Sequence, residues 1–348
     1  ILFLTAIFSH FSGCMFDFTV VIPTYNGAQK LPQLLDQLRS QTNTSAFTWS
    51  IIIVDNNSTD EPAALIARYQ AEWDHPWSIE YAFEQQQGAA FARQKGMQLA
   101  QSELIGYIDD DNVPESNWVA NAYDFAQQHP QAGAFGGKVQ GSIQGVTPEN
   151  LEQIASVLAL RDRGNEAHQY RPDVLDLPPA AAVVIRKSAW VENVPTRPLL
   201  GGRGQGSMMQ GDDYEPLLYM HKAGWEIWYV PTLVTHHQIP ETRLDRDYLI
   251  KLSWGCGLCN CHLRMINTSP WQKPALIARI LVGSDLRVLV AHFLKYRTQL
   301  STELIPACKM ALYLANWLSP FYFIRDWTKQ KYRRLLSPSA QPSQLQSI

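Results

Sequence analysis

Two hydrophobic patterns alternate along the first 140 or so residues. Unbroken apolar runs occur at 18–23 (FTVVIP) and 49–54 (WSIIIV). They are too short for core helices and carry no polar face, so they predict strands buried on both sides. Between them Leu31, Leu34, Leu35 and Leu38 share one helical face, which predicts a helix over 30–40. The alternation continues with a helix over 60–71 capped by Asp60, a strand at 79–83, a helix at 89–100 and a strand at 104–108. A helix over 114–128, with Pro114 in its first turn, and a strand at 132–141 follow. Farther on, 149–169 reads as a helix and 228–230 as a strand.

This repetition predicts an α/β fold, a mostly parallel sheet with helices on both faces. Ligands of such sheets sit beyond the carboxyl ends of the strands. Pro23-Thr24-Tyr25-Asn26-Gly27 follows the first strand, Asp55-Asn56-Asn57-Ser58-Thr59-Asp60 the second, and Asp109-Asp110-Asp111-Asn112 the fourth. Three adjacent carboxylates repel one another unless a cation lies among them. Hard oxygen ligands suit Mg²⁺ or Mn²⁺ carrying a phosphate, and a solvated acidic turn is the plainer alternative. Later, Gly201-Gly202-Arg203-Gly204-Gln205-Gly206-Ser207 leads into Gly211-Asp212-Asp213-Tyr214-Glu215, which reads as a mobile lid ahead of a carboxylate pair that includes a base. A histidine at a strand end, in Val234-Thr235-His236-His237, is placed to complete a metal site.

Composition bounds the class. Of 348 residues, 46% are hydrophobic and 18% charged, which excludes a disordered, collagen-like or coiled-coil chain. The net charge is −3, unevenly spread: residues 271–334 carry eleven Lys or Arg against Asp285, Glu303 and Asp326, leaving +8 there and −11 elsewhere. A basic, aromatic-rich segment on an acidic body predicts contact with an anionic membrane surface and argues against a nucleic-acid partner. Residues 304–324 are apolar apart from Lys309 and Asn316, and are bracketed by Pro306 and Pro320. That fits helices lying in the membrane interface, with a helical lid packed on the body as an equal alternative. Residues 1–16 are an apolar extension with no basic start, of which 1–14 are best read as lying before a true start at Met15, with a short anchor as the alternative. Residues 336–348, rich in Ser, Pro and Gln, predict disorder. The odd count of five cysteines suits a reducing compartment.

Several chemistries are excluded. No GxGxxG follows the first strand, no GxxxxGK[ST] occurs, and there is no GxSxG elbow. Cys256, Cys259, Cys261 and His262 resemble half a zinc site, but nothing completes it. They read as small core residues beside Gly255 and Gly257, which mark close helix packing. Arg161-Asp162-Arg163 reads as a surface ion-pair face, with contact to an acceptor as the alternative.

The ordered motifs IPTYNG, VDNNSTD, QQQGAAFARQKGM, YIDDDN, GDDYEP and YVPTLVTHHQIPETRL resemble the family 2 inverting glycosyltransferases with the GT-A fold. The resemblance covers about two thirds of the chain, and is strongest to cyanobacterial transferases for exported polysaccharide of the hormogonium type. It implies a GT-A domain over 17–250; beyond it, 251–335 reads from its own pattern as a helical region, membrane-associated or packed on the body. It also implies transfer of a sugar from a nucleotide-sugar donor, UDP-linked, to a hydroxyl of a glycan or lipid-linked acceptor at the cytoplasmic face of a membrane, with Mn²⁺ or Mg²⁺ as cofactor. Pro23, Thr24 and Tyr25 would line the nucleotide pocket, and Asp55 would accept from the base. Gly88 and Arg93 fall in the third nucleotide-contacting segment. Asp109 and Asp111 match the D-x-D motif, the first near the ribose and the second on the metal, with Asp110 assisting. Asp213 matches the catalytic base, Asp212 stands where the family carries Glu, and Arg243 lies near the diphosphate. His236 matches the metal-binding histidine, with His237 as its rival. Transfer to polyprenyl phosphate, or a catalytically inactive scaffold of a polysaccharide-assembly complex, are the competing readings.

Overall fold

The computed structural model describes residues 16–202 and 209–336. The apolar extension through residue 15, the 203–208 portion of the expected lid and the tail from 337 lie outside the described residues. The first half runs β1 (Phe18–Thr24), α1 (Leu31–Arg39), β2 (Trp49–Asp55), α2 (Pro62–Ala71), β3 (Ile79–Phe83), α3 (Ala89–Leu99), β4 (Leu104–Ile108), β5 (Asn112–Pro114), α4 (Trp118–Gln128) and β6 (Ala132–Ile143). A 3₁₀ segment at Leu151–Leu158 and the short β7 (His168–Gln169) lead to β8 (Ala182–Arg186) and α5 (Lys187–Asn193). Then come α6 (Tyr214–Lys222), β9 (Glu226–Ile239), α7 (Arg246–Leu258), α8 (Asn260–Asn267), α9 (Lys273–Val282), α10 (Ser284–Tyr296) and α11 (Leu304–Leu336).

The strands form one sheet in the order β3-β2-β1-β4-β8-β6-β9-β5, with β7 beside β9. Side chains alternate faces along β1. Phe18, Val20 and Ile22 pack under α1, α2 and α4, while Val21 packs with Ile52 and Val54 under α3 and α6. Helices therefore cover both faces, as the two-sided apolar runs require. Each fully buried Ile, Val or Leu contributes about 1.5–3 kcal/mol.

The expected mostly parallel sheet needs correction. Four pairings are parallel (β1–β2, β1–β4, β2–β3, β6–β9) and four antiparallel (β4–β8, β6–β8, β5–β9, β7–β9), so the sheet is mixed. β8 inserts between β4 and β6, an order that local alternation does not reveal. Three local readings also change. Asp60 does not cap α2: Glu61 precedes that helix, and Asp60 Oδ2 accepts from Ala28 N at 2.9 Å, tying two loops together. Pro114 ends β5, and α4 starts at Trp118. Residues 149–169 hold a kinked 3₁₀ turn and a bridge from Arg161 to Val139, with no long helix.

β9 is far longer than 228–230. Its pairing with β6 skips between Gly136/Tyr229 and Lys138/Val234, and Pro231 sits inside that break, where its missing N–H costs no ladder bond. The C-terminal helices join the body through a third core. There Leu151, Ile154 and Leu158 meet Leu249 and Leu252 of α7 and Ile305 and Cys308 of α11. Cys259 and Cys261 are buried, and a Cβ on Gly257 would lie 2.4 Å from the Leu312 carbonyl oxygen and 2.7 Å from Ala315 Cβ. That contact supports the close-packing reading of the Cys/Gly segment.

Candidate active site

β1 and β2 end level, with Thr24 opposite Asp55, and β4 ends one residue before Asp109. The three polar clusters thus meet at one edge of the sheet. There an open cleft of about 840 Å³ is lined by Pro23, Thr24, Tyr25, Gly88, Arg93 and the acidic run. Asp55 lies just beneath it: Oδ1 accepts from Ser58 N at 2.9 Å and Oδ2 from the Tyr81 hydroxyl at 2.8 Å. Burial and the Asp55 bond push the Tyr81 hydroxyl up to about 12. Gly88 has φ +137°, and a Cβ there would lie 2.4 Å from the Gly201 carbonyl oxygen, so only glycine suits this rim of the cleft.

The three adjacent aspartates divide their surroundings. Asp109 Oδ1 accepts from Arg93 Nη2 at 2.9 Å. Asp110 is buried, with Oδ2 accepting from Thr24 Oγ1 at 2.8 Å and Oδ1 from Lys30 Nζ at 3.2 Å. Burial and the neighbouring Asp111 raise its carboxyl above the usual range, while Lys30 and Thr24 pull it back. Asp111 Oδ2 lies 2.9 Å from Arg243 Nη1. Burial pushes the Asp111 carboxyl up, but His237, Arg243 and Lys30 outweigh it and hold it well below the usual carboxylate range.

Strand parity separates the two histidines. β5 pairs antiparallel with β9, Asn112 opposite His237 and Val113 opposite His236, so the two rings leave opposite faces. His237 turns into the cleft, its Nε2 3.6 Å from Asp111 Oδ2; His236 turns away, its Nε2 3.7 Å from Glu115 Oε1. It is thus His237, and not His236, that faces Asp111. Its Nδ1 lies 3.0 Å from the Leu158 carbonyl, which only accepts, so Nδ1 carries the proton. Its Nε2 lies 3.1 Å from Arg243 Nη1.

Asp111 Oδ2 and His237 Nε2 thus already converge on one positive group. Two ligand atoms at about 2.1 Å from one cation stand roughly 3 Å apart, so a carboxylate and a neutral imidazole in this arrangement fit Mg²⁺ or Mn²⁺ after a small approach. Among the described residues no group of three or more His, Cys, Asp or Glu side chains is gathered to hold a metal alone. A cation here would need ligands from elsewhere, as Mg²⁺ commonly takes from substrate phosphates.

A second cavity of about 670 Å³ shares Arg93, Asp109, Asp111 and Arg243 with the cleft and adds Asp212, Asp213 and His237. Arg93 bridges the two acidic clusters, Nη1 donating to Asp212 Oδ2 at 2.8 Å and Nη2 to Asp109. Asp213 stands at the start of α6, where Oδ1 accepts from Tyr214 N at 3.0 Å. Burial and Asp212 push its carboxyl up to about 6, with Arg93 limiting the rise. Gly202 has φ +77°, and a Cβ there would lie 2.8 Å from the Asp212 carboxyl, so the backbone at Gly202 lies directly against Asp212.

Sequence reasoning missed two supporting groups. Glu215 Oε2 accepts from Leu200 N at 2.8 Å and Oε1 from Leu199 N at 2.9 Å, and burial pushes it up to about 7. It fixes the chain that enters the glycine-rich segment. Lys30 serves Asp110 from the start of α1. A charged residue two positions beyond the Asp pair was a visible signal for Glu215. Nothing in the sequence pointed to Lys30.

Residues 19–191 match the family model described as glycosyl transferase family 2. The chain is 28% identical over 102 residues to glycosyltransferase AglE of Haloferax volcanii, covering 29% of this chain and 32% of that protein. It is 26% identical over 246 residues to pre-mycofactocin glycosyltransferase of Mycobacterium tuberculosis, covering 69% of this chain and 46% of that protein. The matched stretch therefore spans less than half of either curated relative. Among solved structures, mannosyltransferase PcManGT from Pyrobaculum calidifontis, in complex with GDP-Man and Mn²⁺, superposes with a TM-score of 0.54 at 20% identity over 86% of this chain and 87% of that one. The likeness to that structure is one of fold.

Proposed function

From the premise that the chain is a family 2, GT-A-fold glycosyltransferase-like protein, we propose that it transfers a sugar from a nucleotide-sugar donor, UDP-linked, to a hydroxyl of a glycan or lipid-linked acceptor, with inversion. The observation that carries this reading is the placement of Asp213. Its proton affinity is raised, and it shares one cavity with Asp109 and Asp111. A carboxylate pushed to about 6 is suited to receive a proton near neutral pH.

In this reading the nucleotide lies in the cleft of about 840 Å³. Pro23, Thr24 and Tyr25 form its wall, and Gly88 lets the backbone approach. Each Asp55 oxygen keeps a second lone pair for a base N–H. Asp109 faces the ribose. Asp111 and His237 hold Mn²⁺ or Mg²⁺, which when bound offsets the charge developing on the departing diphosphate. Arg243, displaced from both by the cation, would turn its N–H groups to the same diphosphate. Asp213 accepts the acceptor hydroxyl proton on the opposite side of the sugar ring, and a single displacement inverts the anomeric carbon. Asp212, held by Arg93, orients the acceptor. A scaffold without activity would leave the Arg93 bridge and the raised carboxyl without a purpose. Transfer to polyprenyl phosphate would need no such base.

The acceptor belongs to an exported or surface polysaccharide, in keeping with the narrower sequence resemblance. The C-terminal helices rest on the cytoplasmic face of a membrane. α9, α10 and the turn before them expose Trp271 (78%), Val282 (75%), Phe293 and Leu294 among Lys273, Arg279, Arg287 and Lys295. No helix among the described residues is long and apolar enough to cross a membrane.

The test is nucleotide release from a panel of UDP-, GDP- and TDP-sugars with Mn²⁺, Mg²⁺ or EDTA, on the wild type and Asp111→Ala. Release from one donor, abolished by EDTA and by the substitution, is the expected result. Release that ignores both would remove Asp111 and the metal from the mechanism.

A further inference from the structure

A third cavity, of about 1190 Å³, opens onto Asp213 and is lined by Arg161, Arg163, Arg171, Asp176 and Tyr214. Its charges do not balance. Among the described residues its lining carboxylates are Asp213 and Asp176. Asp213 already draws on Arg93, and Asp176 is shared by two arginines: Arg163 Nη2 bonds Oδ1, and Arg171 Nε lies 4.0 Å from Oδ2. Among the described residues Arg161 bonds only neutral groups. Its Nη2 donates to the Tyr214 hydroxyl at 2.8 Å and to the Leu177 carbonyl at 3.1 Å. That hydroxyl in turn donates to the Leu177 carbonyl at 3.2 Å, and Arg161 Nε is buried without a partner among the described residues.

The sequence reading of Arg161 as part of a surface ion-pair face is therefore replaced. The bridge from Val139 to Arg161 turns this side chain inward, toward the residue that follows Asp213. A partly buried guanidinium with no carboxylate is costly unless something anionic joins it. Arginine forks match phosphate and carboxylate oxygens two at a time.

We propose that the acceptor carries an anionic group, phosphate or carboxylate, seated on Arg161, Arg163 and Arg171, while its hydroxyl faces Asp213. The inference rests on the transferase reading and names the chemical class of its acceptor. In the step itself, the acceptor oxygen bonds the anomeric carbon and its proton passes to Asp213. The bond from that carbon to the diphosphate oxygen breaks, and its electron pair leaves with the diphosphate. The anion is not consumed; it fixes the hydroxyl. The far wall of the cavity includes Leu263 of α8 and Leu312 of α11, so the anion can be borne by a soluble glycan or by a lipid.

Calorimetry on the full chain tests this, with saturating UDP and Mn²⁺ present. The probes are glycerol 3-phosphate against glycerol, glucuronate against glucose, and dodecyl phosphate. The anionic member of each soluble pair is expected to bind roughly tenfold or more tighter than its neutral partner. Arg161→Gln should remove most of that preference, with UDP affinity unchanged. Arg161 has internal bonds whose loss could disturb folding, so Arg171→Ala is the companion variant. Its side chain is 77% exposed, and it should reduce the preference about threefold. Equal binding of anionic and neutral partners, or a preference that survives both substitutions, overturns the proposal. If UDP fails to bind while the arginine-dependent preference stands, the donor reading falls and the anion site remains. Tighter binding of dodecyl phosphate than of glycerol 3-phosphate identifies a lipid-borne anion, and the reverse a glycan-borne one.

Discussion

Replacing Arg93 by Met removes the group that joins the two acidic clusters while keeping most of the side-chain volume. Arg93 is 8% exposed and makes two charge-assisted bonds, 2.8 Å to Asp212 and 2.9 Å to Asp109. Each such bond contributes about 1.5–3 kcal/mol. Water can re-solvate part of Asp109, whose side chain is 29% exposed, but little of Asp212, at 11%. Leaving a buried charge unpaired costs about 3–5 kcal/mol, and that is the loss expected in urea unfolding at pH 7.5. Asp212→Asn on top of Arg93→Met should recover at least about 1 kcal/mol, because the orphaned charge is gone. A second readout is the pH profile of transfer. The charged groups facing Asp213 are Asp212 beside it and Arg93 from α3, with the Cys259 thiol near. Asp213 works as a base only when ionised, so activity falls as the pH drops through about 6. Arg93 favours the ionised form, so its loss moves this acidic limb to higher pH. A variant within about 1 kcal/mol of wild type, with its acidic limb unmoved, would refute the bridge.

Other perturbations probe separate parts of the account. His237→Ala should weaken Mn²⁺ binding in the presence of UDP roughly tenfold or more by calorimetry, and His236→Ala should leave it within about twofold. The reverse pattern would restore His236. Gly257→Ala should cost about 1–3 kcal/mol in thermal unfolding, since α11 leaves no room for a Cβ; no loss would mean that α7 and α11 separate easily. Trp271→Glu should cut partition into phosphatidylglycerol vesicles about tenfold, with a smaller loss on neutral vesicles, if the exposed apolar face meets lipid. Equal partition of both forms would leave the helices packed on the body only.

Much of the fold is local and was legible. The strands at 79–83 and 104–108 and the Leu31–Leu38 face follow from runs and spacing that tertiary structure leaves alone. The acidic clusters were findable because a doubly covered sheet has one open edge. The rest depends on pairing between distant strands. β8 lies antiparallel between β4 and β6, and no periodicity announces that. The choice between His236 and His237 is a choice of strand parity, fixed only when Asn112 lies opposite His237. Arg161 and Glu215 gain their roles from partners 53 and 16 residues away, Tyr214 and Leu199. The 3₁₀ turn at Leu151–Leu158 has helical apolar spacing, and packing against α7 and α11 decides its form.

The central claim is that Asp213 takes the acceptor proton in a site that binds the donor without it. The direct measurement compares wild type and Asp213→Asn for UDP–Mn²⁺ affinity and for turnover of the donor that the wild type uses. The account predicts near-equal affinity and a loss of turnover of about 100-fold to 10,000-fold. Turnover within a few fold of wild type, at unchanged affinity, would contradict it.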